Sequence, residues 1–409
     1  MTCDPAVSAW EAMPRFAPFR GLRYDPSVVP PAQAIAPPYD VIEPAERVRL
    51  ATRSSFNSVH LELPEADLRA GIDRYQVAAK LLTVWRGEGV LLLDKEPAFY
   101  LYRMTAEGRS TLGVIGALGL PAEGEEGQVL PHEETLPKAR TDRLDLLRAT
   151  RANLSPIWGL SLATGLSEVL EPTGDPEIEV HDDDGVRHEL WVVGTSRAKA
   201  IGGAVGAEPV VIADGHHRYE TARAYQREVR AERGDAPGDQ DWVMALVVEL
   251  SDEQLSVRPI HRVVSGLADP DDLIKAFGQW FDLVRAGEGS DRVVGALGEA
   301  GSLAVVSAGG AWLLTPRPEA YEAARSDLDS SLVALALEGV PGAQTSHRHS
   351  WQEAMASVKN GDAQVAVLLR APTVDQISTW AHERRRMPPK TTYFSPKPRT
   401  GMVIRPLGT

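Results

Sequence analysis

The sequence contains almost no cysteine: among 409 residues, Cys3 is the single one. This scarcity excludes a disulfide framework and a zinc site built from several cysteines, and it leaves no thiol nucleophile in the body of the chain. Such usage is typical of proteins that work in a reducing compartment. We therefore expect a cytoplasmic protein whose chemistry depends on other side chains.

Long apolar runs are also missing from the sequence. Residues 1–20 are interrupted by Pro5, Pro14 and Pro18 and do not form the continuous apolar stretch of a secretory signal. No later apolar run reaches the roughly 18 residues that a membrane span requires. We expect no membrane partner.

Basic residues are too few to favour a polyanionic partner. The chain has 43 Lys and Arg against 57 Asp and Glu, a net charge of −14, which repels nucleic acid at long range. The single dense basic cluster, Arg384 to Arg386, is interpreted as a solvated helix end. The pattern favours a small-molecule ligand over nucleic acid, and it does not indicate an oligomeric state.

The remaining composition is typical of a large globular protein. Hydrophobic residues make up 43% and charged residues 24%, and a chain of this length exceeds what one hydrophobic core usually serves. Apolar segments of strand length alternate with amphipathic segments such as Leu273 to Val284, which predicts a mixed α/β (α+β) fold. We predict an N-terminal arm, helix and hairpin over residues 1–125, a central catalytic core over 126–265, and a C-terminal α/β lobe over 266–409 that ends in the PKTTYFSPK tail.

The strongest local signal lies at residues 210–222. A buried strand over residues 209–213 runs into a polar loop, and an amphipathic helix follows as far as about Gly234. We call this polar segment the 214–218 loop, and its residues are Asp214, Gly215, His216, His217 and Arg218. The free N–H groups and the positive end of a helix suit a phosphate.

Two features of the 214–218 loop favour a bound anion. Gly215 lets a ligand approach the backbone closely. His216, His217 and Arg218 place donors and positive charge in the first helical turn, where cations are unfavourable unless an anion is present. The alternative is that Asp214 caps the helix and the histidines face solvent or a carbonyl group.

A second polar loop contains His132, Glu133, Glu134 and Thr135 between two prolines. An imidazole beside carboxylates suits proton abstraction or Mg²⁺ binding. The segment is not a zinc protease motif, because no second histidine follows four residues after the first. We predict that Glu133 is a general base and that His132 and Thr135 contact substrate; a solvated acidic loop is the alternative.

Two further segments carry positive charge beside prolines. His261 and Arg262 follow Pro259, and Lys390 and Lys397 bracket a hydroxyl-rich stretch of the tail. Lysines held in this way can clamp phosphate or carboxylate groups as point charges. Solvated lysines in a tail are the alternative.

In this order, the polar segments resemble an end-to-end pattern of bacterial and archaeal proteins catalogued as domain-of-unknown-function family 1015. The matching segments are Ala36 to Val41, His132 to Thr135, Asp142 to Leu144, Arg148 to Thr150, Asn153 to Pro156, Ala213 to Thr221, His261 to Arg262, and Pro389 to Lys397. The resemblance implies substrate contacts for Tyr39 and Asp40, for His132 and Thr135, and for His261 and Arg262.

The strand, 214–218 loop and helix also resemble the phosphate-binding element of the ParB and sulfiredoxin superfamily, which includes free-serine kinases. This resemblance is confined to the segment around residues 210–222. It implies a ParB/sulfiredoxin-like nucleotide-binding core and a site for ATP, ADP or CTP.

These observations lead to three hypotheses about function. The first is a phosphotransferase that uses ATP or ADP with Mg²⁺ to phosphorylate a small hydroxylated metabolite, with free serine as the most specific candidate. The others are a nucleotide-binding switch without turnover and a hydrolase of phosphoserine or a related phosphoester, which needs nearly the same anion site. The sequence does not distinguish phosphoryl transfer to a hydroxyl group from hydrolysis of a phosphoester.

The first hypothesis gives each polar residue a role. Glu133, Asp214 and His216 are the catalytic candidates, and Asp214 is also the candidate Mg²⁺ ligand. The phosphate-binding candidates are Gly215, His216, His217, Arg218, Lys390 and Lys397. We expect His132, Glu133, Asp214, His216, His217, Arg218, His261 and Lys390 to converge on one cleft.

Overall fold

The computed structural model describes residues 13–122, 127–131, 140–286, 293, 297 and 302–408. The chain divides into two compact units. Unit 1 consists of residues 1–255 and 396–409, and unit 2 consists of residues 256–395. Both units combine helices with a sheet, which confirms the predicted mixed α/β class.

The strands are numbered along the described chain. They are β1 (Phe16–Ala17), β2 (Leu22–Tyr24), β3 (Leu91–Leu93), β4 (Phe99–Ala106), β5 (Arg109–Gly119), β6 (Val129–Pro131), β7 (Ala152–Asn153), β8 (Ile157–Ser161), β9 (Ile178–His181), β10 (Arg187–Val193), β11 (Val210–Asp214), β12 (Trp242–Glu249), β13 (Ser256–Pro259), β14 (His261–Ser265), β15 (Phe281–Arg285), β16 (Leu303–Ser307), β17 (Gly310–Pro316), β18 (Gln344–Arg348), β19 (Val365–Leu368), β20 (Thr392–Ser395) and β21 (Arg405–Pro406).

The α-helices are numbered in the same way. They are α1 (Pro31–Ala34), α2 (Pro44–Arg53), α3 (Val59–Glu62), α4 (Arg74–Gly87), α5 (Arg140–Thr150), α6 (Leu166–Val169), α7 (Ala198–Val205), α8 (His216–Arg233), α9 (Pro270–Trp280), α10 (Pro318–Ala324), α11 (Asp329–Glu338), α12 (Trp351–Lys359) and α13 (Val374–His382). Within the described ranges, none of these helices is both long and apolar enough to cross a membrane.

Unit 1 is built on a nine-stranded mixed sheet in the order β6-β11-β8-β12-β5-β4-β10-β9, with β1 paired to β5. Strand β11 runs parallel to β6 and antiparallel to β8. Its residues Val210 to Ala213 are buried, and Tyr219 and Ala222 of α8 belong to the same apolar core. The spacing of these two residues places them on one face of α8, so packing on the core fixes how the helix leaves the strand.

The C-terminal segment returns to unit 1. Strand β21 pairs with β7, and two isolated bridges join Leu22 to Ile404 and Ala36 to Thr400. Ile404 is buried among the apolar residues of a second core that includes Trp85. This return brings Lys397 into the unit that contains the 214–218 loop.

The predicted boundaries differ from this division. Strand β5 pairs with β12 and β4 pairs with β10, so one sheet continues across residue 125. The second unit starts at Ser256 rather than 266, and it ends at Ser395, within the PKTTYFSPK segment. Long-range strand pairing, which leaves no local signal in a sequence, accounts for the difference.

Unit 2 contains a six-stranded antiparallel sheet in the order β15-β17-β16-β19-β14-β18. A separate ribbon of β13 and β20 pairs Ser256 with Ser395, so the two ends of unit 2 are neighbours in one ladder. The predicted helix from Leu273 to Val284 is wrong in its last turn. It ends at Trp280, and β15 follows because Phe281 to Arg285 pair with β17.

Candidate functional site

The 214–218 loop forms the turn between β11 and α8. Strand β11 ends at Asp214, Gly215 adopts φ 89° and ψ 27°, and α8 begins at His216. This left-handed conformation is strained for residues with a side chain. A Cβ atom at Gly215 would also lie 3.0 Å from Nε of Arg218. The predicted strand, loop and helix are confirmed, and the sequence needs glycine at the turn for both reasons.

Strand β11 has an irregular register immediately before the turn. Val210, Val211 and Ile212 follow one register against β8, and the register shifts between Ile212 and Asp214. A β-bulge of this kind re-aims the side chain that follows it. Asp214 therefore leaves the regular in-and-out alternation of the strand at the position where its carboxylate enters the loop.

Asp214 does not cap α8. The residue before the helix is Gly215, which has no side chain to accept from the first turn. The carboxylate of Asp214 instead accepts from Lys397 Nζ through Oδ1 and from Arg218 Nη2 through Oδ2, the latter at 2.8 Å. The three side chains are 15%, 12% and 12% exposed. Lys397 is thus a largely buried partner of the loop rather than a solvated tail lysine.

The charges of this group stabilise one another. Burial by itself would raise the pKa of Asp214, but the charges of Lys397 and Arg218 hold that pKa below its usual value. Burial would lower the pKa of Arg218, but the charges of Asp214, Asp40 and Glu62 act against it, so that pKa is raised. Asp214 therefore binds two cations at the positive end of α8.

Arg218 is anchored by further contacts. Its Nη1 donates to the carbonyl oxygen of Pro156 and, at 3.3 Å, to Oγ of Ser155. These residues precede β8, which pairs with β11. Because Nη1 and Nη2 of Arg218 both donate hydrogen bonds within the protein, Arg218 holds the shape of the loop. It is not freely extended towards a bound phosphate.

Tyr39 and Asp40 lie near Arg218. They belong to a single 3₁₀ turn, Tyr39–Val41, and the charge of Asp40 acts on Arg218. The guanidinium of Arg143 lies over the ring of Tyr39, 4.3 Å from its centroid. Burial raises the pKa of Tyr39 to about 12, so its phenol is neutral and can donate a hydrogen bond.

Arg143 joins this turn to helix α3. Its Nη1 donates to the backbone oxygen of Glu62 at 2.9 Å and to Oε2 of Glu62 at 3.2 Å. Both residues are buried, at 8% and 3% exposure. Sequence reasoning did not assign either residue to the site; Arg143 lies in a family-like segment, and Glu62 carried no signal of its own.

The other predicted residues lie outside the described part of unit 1. His132, Glu133 and Thr135 lie outside the described residues, so the predicted base and the full cleft stay predictions. His261, Arg262 and Lys390 belong to unit 2.

The unit 2 residues make contacts within their own unit. His261 is buried and its Nδ1 accepts from the backbone N–H of Leu369 at 3.2 Å. Arg262 donates to the backbone oxygens of Ile260 at 2.8 Å and Lys390 at 2.9 Å. Burial, together with the charge of Arg262, lowers the pKa of His261 to about 4, so this imidazole is neutral at neutral pH.

The described residues do not fit a protein-held Mg²⁺ ion. Across these ranges, no group of three or more His, Cys, Asp or Glu side chains is arranged to hold a metal. Asp214, the predicted ligand, has both oxygens in ion pairs. A metal at Asp214 would have to displace Lys397 or Arg218, and no step below is routed through one.

Comparisons with known proteins give one family and several distant structures. No curated protein matches the sequence. A conserved hypothetical protein from Pyrococcus furiosus is 12% identical over 68% of this chain and 90% of its own, with a TM-score of 0.36. A free serine kinase in complex with AMP is 12% identical over 65% of this chain and 83% of its own, with a TM-score of 0.34. SbnI with a C-terminal truncation, from Staphylococcus aureus, is 12% identical over 68% and 83%, with a TM-score of 0.38.

Similarities of this size do not establish a shared fold or activity. The sequence comparison is stronger, because one family model covers residues 16–332, which include β11, the 214–218 loop and α8. The chain therefore belongs to the family described as protein of unknown function (DUF1015).

Proposed function

We propose that the 214–218 loop binds the phosphate groups of a nucleotide and that the protein transfers a phosphoryl group from ATP or ADP to a small hydroxylated metabolite, with free serine as the first acceptor to test. The observation that carries this proposal is the pairing of Arg218 and Lys397 with the single carboxylate of Asp214 at the N-terminus of α8.

The physical demands of phosphoryl transfer support this reading. Such reactions need fixed cations and accurate positioning more than covalent chemistry. A glycine turn, the positive end of an 18-residue helix and the ammonium group of Lys397 lie at one point. The ParB/sulfiredoxin-like character of this core is part of the proposal.

We propose different roles for the residues of the 214–218 loop and for Lys397. Gly215, His216 and His217 bind phosphate oxygens, and Lys397 adds a point charge. Asp214 and Arg218 hold the geometry of the loop. Any Mg²⁺ is proposed to arrive with the nucleotide phosphates.

From the sequence, we propose further residues that contact the acceptor substrate or remove its proton. Tyr39 and Asp40 contact it, and Glu133 takes the proton from its hydroxyl group. The substrate roles of His132, Thr135, His261 and Arg262, and the phosphate role of Lys390, are proposals on the same basis.

Phosphorus NMR with ATP or ADP, Mg²⁺ and a panel of hydroxylated metabolites that includes L-serine tests the proposal. We expect a new phosphoester signal with at least one acceptor. Nucleotide binding without turnover would instead identify a switch, and release of inorganic phosphate from phosphoserine would identify a hydrolase. Absence of both binding and turnover would remove the proposal.

A further inference from the structure

A small cavity lies beside Arg218 within unit 1. Its volume is about 50 Å³, and the polar residues that line it are Glu62, Arg143, Asn153, Ser155, Arg218 and Thr221. Leucine, alanine and valine side chains complete the wall. A polar cavity of this size admits a water molecule or the hydroxyl end of a small ligand.

Three buried polar atoms of these lining residues are unsatisfied. Within the described residues, Oε1 of Glu62, Nε of Arg218 and Oγ1 of Thr221 have no hydrogen-bond partner. Glu62 and Thr221 are each 3% exposed. An unsatisfied buried polar atom destabilises the folded state, and folded proteins contain few of them. Three such atoms on residues that line one cavity indicate that a polar group binds there.

The hydrogen bonds that these three atoms need indicate which chemical group can bind in the cavity. The carboxylate oxygen of Glu62 needs a donor, the N–H of Arg218 needs an acceptor, and the hydroxyl of Thr221 can donate. A hydroxyl group has one hydrogen to donate and two lone pairs to accept with, and it can satisfy all three. An ammonium group has no lone pair for Arg218, and a carboxylate group would face the carboxylate of Glu62.

We propose that this cavity binds a hydroxyl group of the acceptor substrate, which donates to Glu62 Oε1 and accepts from Arg218 Nε and Thr221 Oγ1. The inference rests on the proposed function and names a binding site for its acceptor. The guanidinium that closes the cavity also binds Asp214, so the acceptor is held beside the phosphate loop. The cavity binds the hydroxyl, and proton removal stays with the proposed base.

An ordered water molecule can make the same three hydrogen bonds. The test therefore distinguishes water from a hydroxyl group of the acceptor substrate. On the full chain, acceptor binding is measured by thermal shift without nucleotide, with L-serine, L-homoserine and glycerol as probes and L-alanine as the matched ligand without a hydroxyl. We expect at least one hydroxylated probe, and not L-alanine, to stabilise the protein. Glu62→Gln and the nearly isosteric Thr221→Val should each weaken that binding about tenfold or more.

Thr83→Val, which removes an exposed hydroxyl from α4, is the control and should bind as wild type does. Nucleotide affinity should stay within about twofold in all variants, because the loop contacts are unchanged. Unaltered acceptor affinity in both cavity variants, or no shift with any probe, would show that the cavity holds water alone and overturn the inference. Wild-type nucleotide binding and turnover, measured separately, report on the proposed function.

Discussion

At the scale of single residues, Arg218 and Lys397 bind the same carboxylate but are held differently. Arg218 also donates to Pro156 and Ser155, so its planar guanidinium is fixed on two sides. Lys397 provides a compact charge at the end of a flexible stem. The contacts of Arg218 therefore fix the geometry of the loop, and Lys397 is the point charge that we propose for phosphate binding.

Arg218→Ala is expected to destabilise the ligand-free protein. The change leaves the carbonyl of Pro156 without its donor and Asp214 with one cation instead of two, and breaking a buried ion pair typically costs about 3 to 5 kcal/mol. Because the side chain is 12% exposed, we expect a loss of about 2 to 4 kcal/mol in the free energy of unfolding, measured with urea. An unchanged unfolding curve would show that Arg218 does not anchor the loop.

The buried His261 predicts a pH dependence of stability. Its pKa is lowered to about 4 from an ordinary 6.5, so the unfolded chain gains a proton as the pH falls below about 6.5 while the folded protein does not. The contribution of His261 is therefore fully present above about pH 6.5 and is lost as the pH falls towards 4, with a slope of up to about 1.4 kcal/mol per pH unit.

Urea unfolding at pH 5 and pH 7 measures this effect. His261→Gln, which keeps an acceptor for the N–H of Leu369, should lose less stability between these pH values than wild type does. His382→Gln, at an exposed position in α13, is the control. Equal pH dependence in wild type and His261→Gln would contradict the assignment.

At the scale of elements, the turn between β11 and α8 depends on glycine. Gly215→Ala should both strain the backbone and displace the guanidinium of Arg218. We expect a loss of about 1 to 3 kcal/mol in stability together with at least about tenfold weaker nucleotide binding, a fold-change worth roughly 1.4 kcal/mol.

Gly165→Ala is a matched control for this change. Gly165 also precedes a helix, at φ 83° and ψ 7°, but a Cβ atom there meets no atom within 4 Å. It should lower stability by a similar backbone cost and leave nucleotide binding unchanged. Normal nucleotide binding by a folded Gly215→Ala variant would show that the 214–218 loop does not bind the nucleotide.

The local elements of the site were predictable from sequence, and its long-range contacts were not. The apolar run before Asp214 and the helical spacing after it predicted β11 and α8 within one or two residues at each end. The ion pair with Lys397 joins residues that are distant in sequence, and local periodicity cannot show it. Glu62 sits in a four-residue helix whose burial depends on other elements, so its place beside Arg143 had no local signal either.

At the scale of the whole molecule, unit 2 is an insertion into unit 1. Its first and last residues, Ser256 and Ser395, are paired in one ladder. A short Gly/Ser linker between Leu255 and Pro396 can therefore replace residues 256–395.

We expect the excised unit 1 to fold, as judged by a cooperative thermal transition, and to retain stabilisation by nucleotide. The reason is that Asp214, Arg218 and Lys397 all belong to unit 1. A folded unit 1 that no longer responds to nucleotide would show that the site needs residues of unit 2, such as Lys390 or Arg262.

Calorimetric titration of the full-length protein with ADP and with ATP, in the presence of Mg²⁺, tests the central claim most directly. Wild type should bind at least one of these nucleotides. Lys397→Met should weaken binding at least about tenfold, because it removes the cation beside Asp214 that we propose binds phosphate, whereas Lys80→Met, at an exposed position in α4, should bind as wild type does. Wild-type affinity in a folded Lys397→Met variant, or no binding to wild type, would contradict the account.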